Sequence, residues 1–173
     1  MESYVGVKYN FNRTDERFDV DDRLIRLDRW ALTLGQLGLA PVHDQGAFGN
    51  QSFRIGDDSF IITRTGMCPS ETFTAENYCL VSGYDRPSNT FSFSGVYQPS
   101  SEAILHCLLY RALPSVNAIL HGHFHLFQRF SEPLGIPVTA DALPYGTPEL
   151  ARSALEIVDQ ETTLFYLRDH GFV

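Results

Sequence analysis

The sequence is poor in lysine and cysteine and has no long apolar run, and each shortage removes a class of function. Lys8 is the only lysine among thirteen basic residues. It lies close to the N-terminus, where chains commonly fray, so a Schiff-base mechanism on a desolvated lysine has no support. The three cysteines, Cys68, Cys79 and Cys107, are odd in number, widely spaced and free of any C-x-x-C pair. That spacing excludes a disulfide framework and predicts buried thiols in a reducing compartment. No apolar stretch approaches the ~18 residues that span a bilayer. The first residues lack the basic-then-apolar pattern of a leader. A cytoplasmic protein with no membrane partner is expected. Twenty-one acidic residues against thirteen basic ones leave a net charge of −8, which argues against a nucleic-acid footprint built on a basic stripe. No glycine cluster spells a Walker or Rossmann fingerprint, so nucleotide binding is not expected.

What is present fits one domain. A chain of 173 residues, 43% of them hydrophobic, buries roughly 70% of its unfolded surface and needs neither disulfide nor metal merely to fold. Residues 1–20 are polar, mixed in charge and without period, and read as an extended arm or loop. Residues 21–173 read as the domain. Leu24, Leu27, Ala31 and Leu34 recur at helical spacing behind Asp21 and Asp22, with Gly38 as a stop. Arg23, Arg26 and Arg29 on that helix read as a solvated face paired with Asp22 and Asp28. Ser52–Ile55 and Ser59–Thr63 read as a hairpin around Gly-Asp-Asp, followed by strands at Asn77–Ser82 and Thr90–Phe93. Pro99 and the two serines after it open a helix to about Leu113. A buried strand at Asn117–Leu120, a helix at Pro148–Val158 and a strand at Thr163–Leu167 complete the pattern. A central, mainly antiparallel sheet with interspersed helices is the expected α/β architecture.

Three of the six histidines fall in His121-Gly122-His123-Phe124-His125. On a strand, alternate residues share a face, so two of these imidazoles can reach one metal, whose nitrogen ligands sit at ~2.1 Å. The period leaves open which two. His170 after the last strand is the candidate for a third nitrogen, and three protein ligands with an open position are typical of catalytic zinc. Glu102 and His106 lie four apart on one helix face. Glu102 is either a capping carboxylate or, functionally, a general base or a transient metal ligand. Ser100 and Ser101 offer hydroxyls and backbone donors where an anion would sit at a helix start. Gly49-Asn50 and Thr65-Gly66 provide further close backbone approaches.

Taken in chain order, these blocks resemble the class II aldolase/adducin family. The resemblance rests on Gly49-Asn50-Gln51-Ser52-Phe53-Arg54, Ile62-Thr63-Arg64-Thr65-Gly66-Met67, Pro99-Ser100-Ser101-Glu102 with His106, Ala118-Ile119-Leu120-His121-Gly122-His123 and Leu167-Arg168-Asp169-His170-Gly171. It implies a sheet with helices on both sides and a divalent metal, usually Zn2+, on His121, His123 and His170. It further implies Glu102 as the acid/base, and a substrate phosphate cradled by Gly49, Asn50, Thr65, Gly66, Ser100 and Ser101. The implied activity is aldol cleavage of a phosphorylated keto-sugar by a homo-oligomer, a tetramer in the family. An epimerase or dehydratase on the same site, an adducin-like interaction module and a metal-binding relative without turnover are the alternatives. Arg64 stands where the family usually has proline, and His125 carries no family role. Tyr145 and Tyr166 are candidates for a protonating tyrosine.

Overall fold

Every residue from Phe60 to Thr63 is buried, which a strand achieves only when both of its faces are covered. The computed structural model describes residues 6–173 and shows what covers them. Its strands are β1 (Asn10–Arg13), β2 (Val42–His43), β3 (Gly46–Ala47), β4 (Asn50–Arg54), β5 (Phe60–Thr63), β6 (Tyr78–Asp85), β7 (Thr90–Ser94), β8 (Ala118–His121), β9 (Tyr166–Leu167) and β10 (Gly171–Phe172). Its helices are α1 (Asp22–Gln36), α2 (Ala103–Ala112), α3 (His125–Leu134) and α4 (Pro148–Leu155). One six-stranded sheet, in the order β1-β7-β6-β5-β4-β8, is antiparallel except for the β1–β7 pair. Phe60, Ile62, Cys79 and Val81 face α2 and α4. Ile61, Tyr78, Leu80 and Phe53 face Leu24, Leu27 and Ala31 of α1. The period of two along each strand thus divides the core into two layers.

Packing rather than capping holds α1. Asp21 accepts from the backbone N–H of Arg23 and Leu24, a cap that contributes about 1 kcal/mol. Each of the buried side chains Leu24, Leu27 and Leu34 contributes about 1.5–3 kcal/mol. On its outer face Arg23 pairs with Asp21 at 2.7 Å, whereas Asp28 is taken by the Tyr78 hydroxyl at 2.6 Å.

The structure departs from the sequence expectations at several ends. Part of the 1–20 arm is a strand: Asn10–Arg13 pairs with Thr90–Phe93, while residues 1–5 lie outside the described range. Lys8 is pinned, its ammonium donating to the Tyr145 carbonyl at 2.8 Å and sitting 3.8 Å from the Tyr145 ring centre. Helix α2 starts only at Ala103, with Glu102 at the cap position but no capping bond from its side chain. Strand β8 lies at the sheet edge and is only partly buried. The run of alternate histidines breaks after His121, and His125 opens a helix instead. Phe124 and Phe127, which pack against the tail, make the helical turn the better burial.

A polar seam joins β4 to α2. Asn50, Ser52 and Arg54 on one face of the strand meet Glu102, His106 and Tyr110 on the helix. The Asn50 amide donates to Glu102 at 3.0 Å, Ser52 Oγ lies 2.6 Å from His106 Nδ1, and Arg54 donates to the Tyr110 carbonyl at 2.7 Å. Two strand residues advance about 6.7 Å and four helical residues about 6.0 Å, so the rungs stay in step. His106 is fully buried. That burial pushes its pKa down to about 3, with His121 adding to the effect and Glu102 opposing it.

The chain's last strands close the fold. Gly122 and Phe172 exchange backbone hydrogen bonds at 3.2 and 2.9 Å, which draws β10 onto the end of β8. This approach needs glycine: a Cβ on Gly171 would lie 2.4 Å from the Gly122 carbonyl oxygen. Gly171→Ala is therefore expected to cost more than about 2 kcal/mol in denaturant unfolding. Gly83→Ala, with nothing within 4 Å of the added carbon, should stay within about 0.5 kcal/mol of the parent. Acid should act through His106. The unfolded chain takes up a proton near pH 6.5 that the folded chain refuses until about pH 3, so stability falls as pH drops through that window. Urea titrations of the metal-free protein between pH 7 and pH 4 should show the fall, and His106→Gln should make it shallower, leaving the share due to His123, whose protonation the fold also suppresses.

Candidate active site

Four side chains from three separate stretches converge at one end of the sheet. His121 closes β8, His123 follows it by two residues, Glu102 precedes α2, and His170 sits in the turn between β9 and β10. One donor atom from each lies within 4.8 Å of the others. His121 Nε2 is 3.1 Å from His123 Nε2 and 3.0 Å from Glu102 Oε2, and His170 Nε2 is 2.8 Å from Glu102 Oε1.

The tautomer of His121 follows from its other nitrogen. Nδ1 lies 2.7 Å from the Phe172 carbonyl oxygen, which only accepts, so Nδ1 carries the proton. In a neutral ring Nε2 then presents a lone pair to a second imidazole nitrogen and to a carboxylate oxygen. Such lone pairs repel unless a positive charge lies between them. A tetrahedral ion with ligands at ~2.1 Å sets them roughly 3.4 Å apart, close to the spacing seen. The Nδ1–H···O=C bond is the usual outer contact that orients a metal-binding histidine. The donor set therefore fits a divalent cation.

Burial alone would raise the Glu102 pKa, but positive charge and hydrogen bonds from His121 and His170 in their protonated forms override it and hold the carboxylate well below its usual range, the part a cation plays when the rings are neutral. His123 is pushed down to about 2 by burial first and by His121 and His170 second. It is neutral and available as a ligand across ordinary pH. Phe48 stacks on its ring at 5.0 Å.

Sequence reasoning missed the support for His170. Asp169 before it adopts φ +55, an uncommon left-handed conformation for a residue with a Cβ. Gln128 on α3 accepts from the Asp169 backbone N–H at 2.6 Å and donates to its carboxylate at 2.7 Å. The signal was the helical spacing of Phe124, Phe127 and Ser131, which the neighbouring histidines obscured.

A cleft of about 540 Å3 opens over Glu102, His123 and His170. Gly49, Asn50, Thr65, Gly66, Ser100 and Ser101 all line it. Gly49 takes φ +96, and a Cβ there would meet the His121 carbonyl oxygen at 2.5 Å. The Asn50 amide nitrogen is directed at Glu102 rather than into open space. Among the described residues lining the cleft, Arg64 carries its only permanent positive charge. Exposed His125 stands at the rim outside the group of four donors. Tyr145 lines the cleft with its hydroxyl donating to the Gly6 carbonyl at 3.3 Å. Tyr166 is fully buried, away from the cleft lining.

Known proteins resemble this chain in sequence and in fold. The family model for the class II aldolase and adducin N-terminal domain matches residues 31–173. Methylthioribulose-1-phosphate dehydratase of Yersinia enterocolitica is 34% identical over 90 residues, 52% of this chain and 38% of that protein. The enzyme of the same name from Gluconacetobacter diazotrophicus is 37% identical over 75 residues, 43% of this chain and 34% of its own length. The matched stretch thus spans well under half of these curated relatives. In three dimensions, a solved L-fuculose 1-phosphate aldolase superposes with a TM-score of 0.67 at 21% identity, covering 89% of this chain and 74% of that one. L-fuculose-1-phosphate aldolase from Thermus thermophilus gives 0.62 at 23% identity, covering 86% and 75%. With residues 31–173 matched and the layered sheet shared, the chain belongs to the class II aldolase/adducin family.

Proposed function

We propose that this chain is a metal-dependent lyase acting on a phosphorylated keto-sugar, with the ion on His121, His123 and His170 and with Glu102 as acid/base. The observation that carries the reading is the meeting of three imidazoles and one buried carboxylate at the floor of a cleft. When bound, a divalent cation, Zn2+ in this proposal, supplies Lewis acidity that polarises the carbonyl and hydroxyl oxygens of a keto-sugar.

The chain's own residues do the rest. Glu102, steered by the Asn50 amide at 3.0 Å, holds one carboxylate oxygen where it can take or return a proton beside the reacting carbons. Ser100 and Ser101 at the approach to α2, with Gly49, Asn50, Thr65 and Gly66 in the same cleft lining, form the proposed phosphate cradle. Anchoring the phosphate there fixes the distance of the carbonyl from Glu102, which is how remote binding lowers a barrier. The stack of Phe48 on His123 fixes the orientation of that ring at the cleft.

The bond broken is the finer part of the proposal. Carbon–carbon cleavage is the first reading, in line with the fuculose-phosphate aldolases that share the fold. Loss of water is the second, favoured by two dehydratase relatives of higher identity. A homo-oligomeric, cytoplasmic protein belongs to the same proposal. The exposed row Leu126, Phe130 and Leu134 along α3 supports self-association, because such a row loses water on contact.

Purified protein should contain about one divalent ion per chain by elemental analysis, as expected of a single closed donor set. His121→Ala and His170→Ala should each reduce that content at least tenfold, and unchanged content in both would reject the ligand assignment. Glu102→Gln should keep the ion and lose most turnover, about a hundredfold or more. A screen of phosphorylated ketoses that reads released aldehyde and the dehydrated sugar phosphate separately decides between the two bond types.

A further inference from the structure

Among the described residues lining the cleft, the one permanent cation is aimed at the backbone of its own turn rather than at the proposed metal ligands. Arg64 extends β5 by one residue, bridging to Pro99, and its half-buried side chain curls back over the turn that follows it. Nε donates to the Asn77 side-chain oxygen at 3.0 Å. Nη1 donates to the carbonyls of both Thr65 and Gly66, at 2.9 and 3.0 Å. The face of the guanidinium lies 4.6 Å from the Tyr97 ring centre. No carboxylate pairs with it among the described residues, in a chain whose net charge is −8.

Two physical consequences follow. In a trans peptide the carbonyl and the next N–H point in opposite directions. Holding the Thr65 and Gly66 carbonyls therefore turns the N–H groups of Gly66 and Met67 to the other side. Gly66 takes φ +62, and successive N–H groups around a left-handed residue form a concave anion seat. Thr65 is locked from its other end, its N–H donating to the Gln98 carbonyl at 2.9 Å. The second consequence is electrostatic. A guanidinium tied to carbonyls keeps its full charge, and its charge is only partly screened where the side chain is half-buried.

We propose that Arg64 is a specificity-determining residue of the cleft's anion subsite. It sets the Thr65–Met67 turn and brings a fixed positive charge to it, so that the subsite selects a dianionic group such as phosphate over a neutral one. The inference rests on the phosphate cradle proposed above, and its test separates the two. Inorganic phosphate is titrated calorimetrically into the metal-loaded protein, its Ser101→Ala variant, Arg64→Gln and Arg64→Lys, at low and moderate salt.

Arg64→Gln should weaken phosphate about tenfold and reduce the salt dependence of binding, while metal content stays at the parent level. Arg64→Lys should recover most of the affinity, because it restores the charge; a purely structural contribution would not be recovered by lysine. If Ser101→Ala weakens phosphate but both Arg64 variants bind like the parent, the role of Arg64 is wrong and the cradle stands. If phosphate binds the parent and all three variants equally, the cradle and the inference both fall. Should Arg64→Gln prove unfolded by circular dichroism, Arg64→Lys decides alone, and a loss of salt dependence there overturns the proposal.

Discussion

The pair of backbone hydrogen bonds between Gly122 and Phe172 is the constraint on which the site depends. They tie the end of an edge strand to a short two-stranded tail, and they place the Phe172 carbonyl against His121. Without that closure His170 would sit far from the other donors, and Glu102 would be a buried carboxylate facing a single imidazole. Such a carboxylate costs several kcal/mol of desolvation without enough compensation. With it, a second imidazole reaches Glu102 and the carboxylate remains ionised. The glycines at 122 and 171 make the approach possible, because any side chain there would overlap backbone.

Much of the fold was readable because burial follows simple periods. The helical spacing of Leu24, Leu27, Ala31 and Leu34 marked α1 almost to its ends, and the hairpin at Gly56 to Ser59 was marked by its turn residues. The family blocks pointed to the same residues that line the cleft, since those residues are defined by chemistry as much as by spacing. The misreadings occurred where tertiary contacts outweighed local pattern. The alternate histidines suggested only that two imidazoles share a face beyond the Asn117–Leu120 strand and gave no sign of a helix at His125, yet burial of Phe124 and Phe127 against the tail favours one there. Strand β1 lacked any apolar period because all four of its residues are exposed. It exists through main-chain pairing with β7, which no side-chain pattern announces.

The site also shows why a list of donor residues underdescribes a candidate metal site. His123 is oriented by Phe48, His121 by a carbonyl, and His170 by the Gln128–Asp169 pair. Each support comes from a different element, so the four donors are held by the whole end of the sheet. Asn50 joins the two halves of the cleft, since its backbone belongs to the strand beside His121 and its side chain steers Glu102.

The toothed contact between β4 and α2 has a mechanical consequence. Sliding the helix by any distance shorter than a full turn would break the contacts of Ser52, His106 and Arg54 together, and at the fully buried Ser52 and His106 water cannot replace the lost partner. The helix is therefore keyed in depth, and the carboxylate at its head is a fixed post rather than a moving arm. Any tightening around a guest therefore falls to segments outside that helix, such as the short strands and turns of residues 41–49.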